Sequence, residues 1–175
     1  MGIAAAALAA VVVLSVLLAK RHGDATPQPT YNATQLAISS ALQAASQVYD
    51  SNGNSFPRGQ TLVTQLQRTV PLLLFAFGPE SVSSSNNASA PLEPTGISVG
   101  VSDDGQVIMF AAEANDGSCW YATDNHETRS ATGGLDGASQ TRGTSYASAS
   151  SQTSCTAADG LPGDATPWTE NWPSS

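Results

Sequence analysis

The sequence predicts an α+β protein: an N-terminal transmembrane helix, then an amphipathic helix packed on a small antiparallel β-meander. Three observations carry that expectation. Residues Ile3 to Ala19 are an uninterrupted apolar run, the stretch from Ala33 to Val48 spaces its apolar side chains as a helix does, and two Asp-Gly turns separate three strand-like segments between Ile97 and Asp124. The chain has 175 residues, enough for one domain of ordinary size once the first 30 or so are set aside. On this reading residues 1–21 form the transmembrane helix, 22–30 a Pro-containing linker, and 31–175 an extracytoplasmic domain.

As a helix the apolar run rises ~26 Å, the short end of what spans a hydrocarbon core. Lys20 and Arg21 follow the run instead of preceding it, which favours a membrane span over a cleavable signal; Gly23-Asp24-Ala25 is the cleavage site of the alternative. The positive-inside rule would use Lys20 and Arg21 to hold the downstream domain in the cytoplasm. The cysteines point the other way. There are two, Cys119 and Cys155, at a spacing that suits neither a CxxC redox pair nor a zinc site. One disulfide in an oxidising compartment fits them, with two buried thiols as the alternative. Within the run, the small residues Ala6 and Ala10 mark a face for close helix packing in lipid, so association is expected through this helix.

Pro27 and Pro29 break any continuous helix after the run. The next segment, capped at Thr30 or Asn32, is expected to be an amphipathic helix to about Tyr49, with Ala33, Leu36, Ala37, Ala41, Ala44, Ala45 and Val48 inward. Gly53 and Pro57 end it, and a shorter helix follows with Leu62, Val63, Leu66 and Val70 inward, ended by Pro71. "LLLFAF" reads as a buried strand. The meander comes next: Ile97, Val99 and Val101 alternate in the first strand, and Asp104-Gly105 turns the chain into "QVIMFAAE". Asp116-Gly117 then turns it into "CWYATD". The middle strand is apolar on both sides, which calls for cover on both faces, one of them by the long helix. Thr128 to Ser154 reads as a long surface loop that a Cys119–Cys155 bridge would tether, worth ~3.5 kcal/mol in the chain-entropy estimate.

Composition narrows the function. A net charge of −8 with six basic residues argues against a phosphate-binding surface, so nucleic acid is not an expected partner. Nothing assembles into a catalytic constellation. His22 and His126 lie far apart in sequence, and no nucleophile-elbow, zinc-protease or phosphate-loop motif occurs. Asp50, Asn52 and Asn54 open like a calcium loop, but Ser55 and Thr61 stand where its glycine and bidentate carboxylate belong, so helix-ending turn chemistry is the preferred reading. Asp103, Asp104 and Asp116 are read as turn residues, and Trp120, Trp168 and Trp172 as core or tail-docking residues. Asn32-Ala33-Thr34 and Asn87-Ala88-Ser89 match the glycosylation triplet and decide nothing. No catalytic, cofactor-binding or metal-ligating residue is assigned, and no small-molecule substrate is identified.

The order of parts resembles the type IV pilin and pseudopilin family. The residues that carry the resemblance are "MGIAAAALAAVVVLSVLLA", similar to the interior of a pilin's N-terminal helix, "AASQVYDSNGNSFP", similar to the helix end and the loop after it, and "VGVSDDGQVIMFAAEANDGSCWYATDN". The family's basic leader and conserved glutamate are absent, which the reading explains by a start upstream of Met1. The resemblance implies a structural, non-enzymatic subunit of a type IV pilus or type II secretion-like assembly, single-pass in the cell membrane with its domain outside the cytoplasm. Its partners would be the membrane and other copies or pilin-like subunits met through the N-terminal helix. A stand-alone, membrane-tethered binding domain is the alternative.

Overall fold

The computed structural model describes residues 32–78, 96–127, 135, 137–150, 155–158 and 160–173. Asn32 is the N-cap of helix α1 (Ala33–Ser51). Its Oδ1 accepts from the Gln35 N–H at 2.8 Å, and Gln35 Oε1 accepts from the Asn32 N–H at 2.8 Å, a reciprocal box that satisfies two donors the helix itself cannot. The helix ends at the C-cap Asn52, after which Gly53 takes a left-handed φ of 71° and Asn54 donates its N–H to the Tyr49 carbonyl.

The inward face of α1 is rotated from the expected one. Ala41, Ala44, Ala45 and Val48 are buried as anticipated, but so are Thr34, Gln35, Ile38 and Tyr49. Leu36 is 53% exposed, Ala33 is exposed and Ala37 half-buried. An alanine-rich helix carries little apolar weight on any one stripe, so its largest β-branched residue sets the frame. Ile38 aligns with Ala41, Ala45 and Val48, and Leu36, two positions and about 200° away, faces out.

After α1 the chain folds over Phe56, which is buried and donates its N–H to the Gly105 carbonyl at 2.8 Å. Gly105 sits at φ 71°, and a Cβ there would run into Ser55 Oγ and come 3.0 Å from the Phe56 carbonyl. The loop and the strand turn thus close on each other only because that residue has no side chain. Helix α2 (Gly59–Thr69) buries Leu62, Val63 and Leu66, with Val70 as its half-buried C-cap.

The sheet has five strands in sequence order: β1 (Leu74–Phe77), β2 (Gly96–Val101), β3 (Val107–Glu113), β4 (Cys119–Asn125) and β5 (Gly143–Ala149). β2, β3, β4 and β5 pair antiparallel, and β1 pairs parallel to β2 with Leu74 opposite Gly96 and Phe77 opposite Val99. The fold class is therefore corrected: among the described residues the sheet is five-stranded and mixed, not a small antiparallel meander, and the helices are two, neither of them a transmembrane helix. Neither helix among the described residues is long and apolar enough to cross a membrane. The span expected at Ile3–Ala19, with Ala6 and Ala10, and the linker at 22–30 lie outside the described residues. The long connection between β1 and β2 lets the chain return to the same end of the sheet, which a parallel pair requires. β1 is an edge strand, and only Phe75 of its four residues is buried.

Both faces of β3 are buried, as its sequence demands. α1 and α2 cover the face of Ile97, Val99, Val101, Ile108, Phe110, Ala112, Trp120 and Ala122. The opposite face presents Val107, Met109, Ala111, Cys119, Tyr121, Ala147 and Ala149 to Leu135, Ala138 and the C-terminal segment at Cys155, Ala157 and Leu161. β5 corrects the reading of 128–154 as loop throughout. Its pattern is Ser145, Ala147 and Ala149 buried against Thr144, Tyr146 and Ser148 half-buried, a true alternation written in residues too small to signal one.

The frame of α1 has a direct test in urea denaturation. Ile38→Ala is expected to cost about 2–4 kcal/mol as a large-to-small core change, and Leu36→Ala less than about 0.5 kcal/mol. Equal losses at the two positions would restore the frame read from the alanines.

Candidate functional site

Two ends of the sheet and one covered face hold the residues that sequence singled out. Cys119 and Cys155 form a disulfide with Cα atoms 5.5 Å apart, joining the start of β4 to the C-terminal segment across 36 positions. The segment lies close on β2 there. Ala157 donates its N–H to Ser98 Oγ at 3.0 Å, and a Cβ on Gly100 would come 2.6 Å from Leu135 Cδ2 and 3.2 Å from the Ala157 carbonyl. Ser98 and Gly100, small residues in the alternation of β2, make room for the strap.

The strap continues along the outer edge of β5. Tyr146 and Thr169 exchange backbone hydrogen bonds of 2.7 and 2.9 Å, and the Thr166 N–H reaches the Ser148 carbonyl at 2.7 Å. Trp172 then folds onto the helix-covered face, its ring 4.3 Å from Tyr146 and 5.7 Å from Trp120. Trp168 donates Nε1–H to the Gly137 carbonyl at 2.8 Å. The three tryptophans are thus brought to the fold's closure and do not share one ligand platform.

At the end of the sheet where β2 turns into β3, His126 stacks on Tyr49 with ring centroids 3.8 Å apart, and its Nε2 lies 3.0 Å from Asp124 Oδ2. The Tyr49 hydroxyl donates to Gln106 Oε1 at 2.7 Å, and Gln106 Nε2 donates to the Asn54 carbonyl at 3.1 Å. Burial, then the charge of Asp124, pushes the Tyr49 hydroxyl above its ordinary range, so it remains a donor. This network ties the end of α1 to the sheet.

The calcium-like triad is not convergent. Asn52 gives its amide to the Val48 carbonyl at 2.7 Å and to Gln65 Oε1 at 2.9 Å, while Asn54 supplies its backbone to Tyr49 and Gln106. Asp50 is exposed on α1. Among the described residues no group of three histidine, cysteine or acidic side chains could hold a metal ion. Asp103 pairs with Arg58, and Asp104 accepts from the Ser102 hydroxyl at 2.5 Å and the Gln106 N–H at 3.0 Å. Asp116 accepts from the Ser118 hydroxyl and N–H at 2.6 and 2.9 Å. Asn32 is engaged in the α1 cap, while Asn87 and His22 lie outside the described residues.

One hollow was not legible in the sequence. About 430 Å³ in volume, it opens where β1 and β2 end and α2 begins, between Phe77, Gly78, Gly100, Leu135 and Ala158, with Arg58 at its rim. Its walls are contributed by segments remote in the chain, and glycines supply part of the space, so no local pattern announces it. No family model, curated protein or solved structure matches the chain.

The acidic turns have a pH signature. The Ser102 hydroxyl, then the Gln106 N–H, lowers the Asp104 carboxyl below its ordinary value, and the Ser118 hydroxyl and N–H do the same for Asp116. A lowered folded value contributes stability that is complete above the unfolded carboxylate range, near pH 4, and is lost as pH falls through the folded value. Asp104→Asn keeps an acceptor but cannot titrate. Its urea midpoint should therefore fall less than that of the parent between about pH 5 and pH 2, and an equal fall in both would remove Asp104 from the acid response.

Proposed function

We propose that the chain is a pilin-like structural subunit, exported to an oxidising compartment, held at the cell membrane by residues that precede α1, and displayed outside the cytoplasm in a pilus- or pseudopilus-like assembly. The observation that carries this reading is the layering of the domain. A capped helix leads into one face of a largely antiparallel sheet, and a C-terminal segment is stapled by Cys119–Cys155 to the other. A stable disulfide belongs to an oxidising compartment, and the acidic, sparsely charged composition suits a surface protein. Asn32, Asn52, Asn54, Asp103, Asp104 and Asp116 are engaged in caps, turns and an ion pair, which supports a structural role for them. The hollow beside Phe77 supports a second reading, a tethered extracytoplasmic binding domain.

Fractionation of cells that produce the full chain from its own locus tests the proposal. After thiol blocking without reductant, Cys119 and Cys155 should both escape alkylation, and the protein should sediment as a large assembly in the fraction sheared from the cell surface. Alkylated thiols in a cytoplasmic fraction would overturn the export it requires. Oxidised, surface-exposed protein that never exceeds monomer size would favour the binding domain.

A further inference from the structure

Three pairs in which Asn or Asp precedes Gly have both members among the described residues: Asn52-Gly53, Asp104-Gly105 and Asp116-Gly117. Such a pair can modify itself. The glycine nitrogen, with no side chain beside it, attacks the preceding side-chain carbonyl carbon and closes a succinimide ring. The three turns are unequally placed for that step. The Gly105 N–H donates to the Ser102 carbonyl at 3.0 Å and the Gly117 N–H to the Ala114 carbonyl at 2.9 Å, so both attacking nitrogens are engaged. An aspartate also closes the ring only when protonated, and the hydroxyls of Ser102 and Ser118 keep the Asp104 and Asp116 carboxyls ionised to lower pH. Gly53 differs on both counts. It is exposed, its N–H makes no hydrogen bond among the described residues, and the group it faces in sequence is a carboxamide, which needs no prior protonation.

The Asn52 carboxamide joins two elements. Its Nδ2 donates to the Val48 carbonyl at 2.7 Å and to Gln65 Oε1 at 2.9 Å, and its Oδ1 accepts from Gln65 Nε2 at 3.4 Å, so one group both caps α1 and ties it to α2. Ring closure requires rotation about the Asn52 Cα–C bond, away from its ψ of 29°, and release of this amide. The α1–α2 joint therefore sets the rate.

We propose that Asn52 is a site of spontaneous deamidation, and that its modification unties α2 from the end of α1. The Gly53 nitrogen bonds to Asn52 Cγ, the Cγ–Nδ2 bond breaks, and Nδ2 leaves as ammonia with the proton from the Gly53 N–H. Water then opens the imide to aspartate or isoaspartate. Aspartate replaces two amide donors with a carboxylate, which meets the Val48 carbonyl and Gln65 Oε1 and stands at the negative end of the α1 dipole. Isoaspartate routes the main chain through the former side chain and lengthens it just before the Asn54 N–H that donates to Tyr49. Both products remove the tie irreversibly.

Peptide mapping by mass spectrometry tests the assignment on the full chain with Cys119–Cys155 intact, incubated near neutral pH in native buffer and in urea. The ratio of the urea rate to the native rate removes the intrinsic reactivity of each pair. That ratio should be smallest at Asn52, where product accumulates in the folded protein, and larger at Asp104 and Asp116. Gln65→Ala should raise the native rate at Asn52 severalfold while the native rates at Asp104 and Asp116 stay at the parent's, which a general loss of stability would not allow. Asn52→Asp should lower the urea midpoint and speed hydrogen exchange in α2. An Asn52 that stays unmodified in native buffer, or three pairs slowed equally by folding, would overturn the site. A Gln65→Ala rate equal to the parent's, or an Asn52→Asp chain with the parent's exchange in α2, would overturn the untying.

Discussion

A strand that is apolar on both sides cannot leave either face wet, and β3 imposes that constraint on everything around it. Ile108, Phe110 and Ala112 face the helices, Val107, Met109 and Ala111 face the C-terminal strap, and all six are buried. At roughly 25 cal/mol per Å² of apolar surface, exposing one face would cost several of the few kcal/mol by which a domain of this size is stable. The chain answers twice, by unlike means. The helix side is held by bulk: Ile38, Leu62, Leu66, Phe56 and Phe75 pack against β2 and β3. The strap side is built largely from alanine, at Ala111, Ala138, Ala147, Ala149 and Ala157, and small side chains bury little area each. The covalent bond between Cys119 and Cys155 supplies there what side-chain volume does not.

That asymmetry explains what sequence could and could not disclose. Helices α1 and α2, the three central strands and their Asp-Gly turns were legible because each carries a period or a turn signal of its own. The demand for cover on both faces of β3 was legible too, from six consecutive apolar residues. The identity of the second cover was not. β5 alternates Ser and Ala with Thr, Tyr and Ser, a contrast too slight to separate a strand from a loop, and the strap has no regular structure to advertise. The orientation of β1 was hidden for a different reason: a short apolar run states that a strand exists, and only tertiary pairing states whether it runs parallel or antiparallel. The frame of α1 was misjudged by placing Ala33, Leu36 and Ala37 inward and leaving out Ile38.

The sheet's edges are managed unequally. Along β5, Thr166 and Thr169 take up backbone groups of Ser148 and Tyr146, and Trp172 locks the tail over Trp120, so this edge is closed by the chain itself. Along β1 the exposed side chain is Leu74 instead of the lysine, proline or bulge that commonly blunts an edge. Of the site residues named from sequence, the disulfide pair proved to organise the fold. His126 and Asn54 proved to stitch the end of α1 to the sheet, and Asn52 ties it to α2. The hollow escaped notice because it is made by residues far apart in the chain and partly by missing side chains.

The central claim, that β3 and β4 hold only while both faces are covered, is most directly measured by hydrogen exchange of the full chain with the disulfide oxidised and then reduced under otherwise native conditions. Reduction should release protection in 155–173 and β5 and, with it, in β3 and β4, because uncovering Val107, Met109 and Tyr121 destabilises the strands that carry them. A strap that opens on reduction while β3 and β4 keep their full protection would show that the helix-covered face alone sustains the sheet, and would contradict the account.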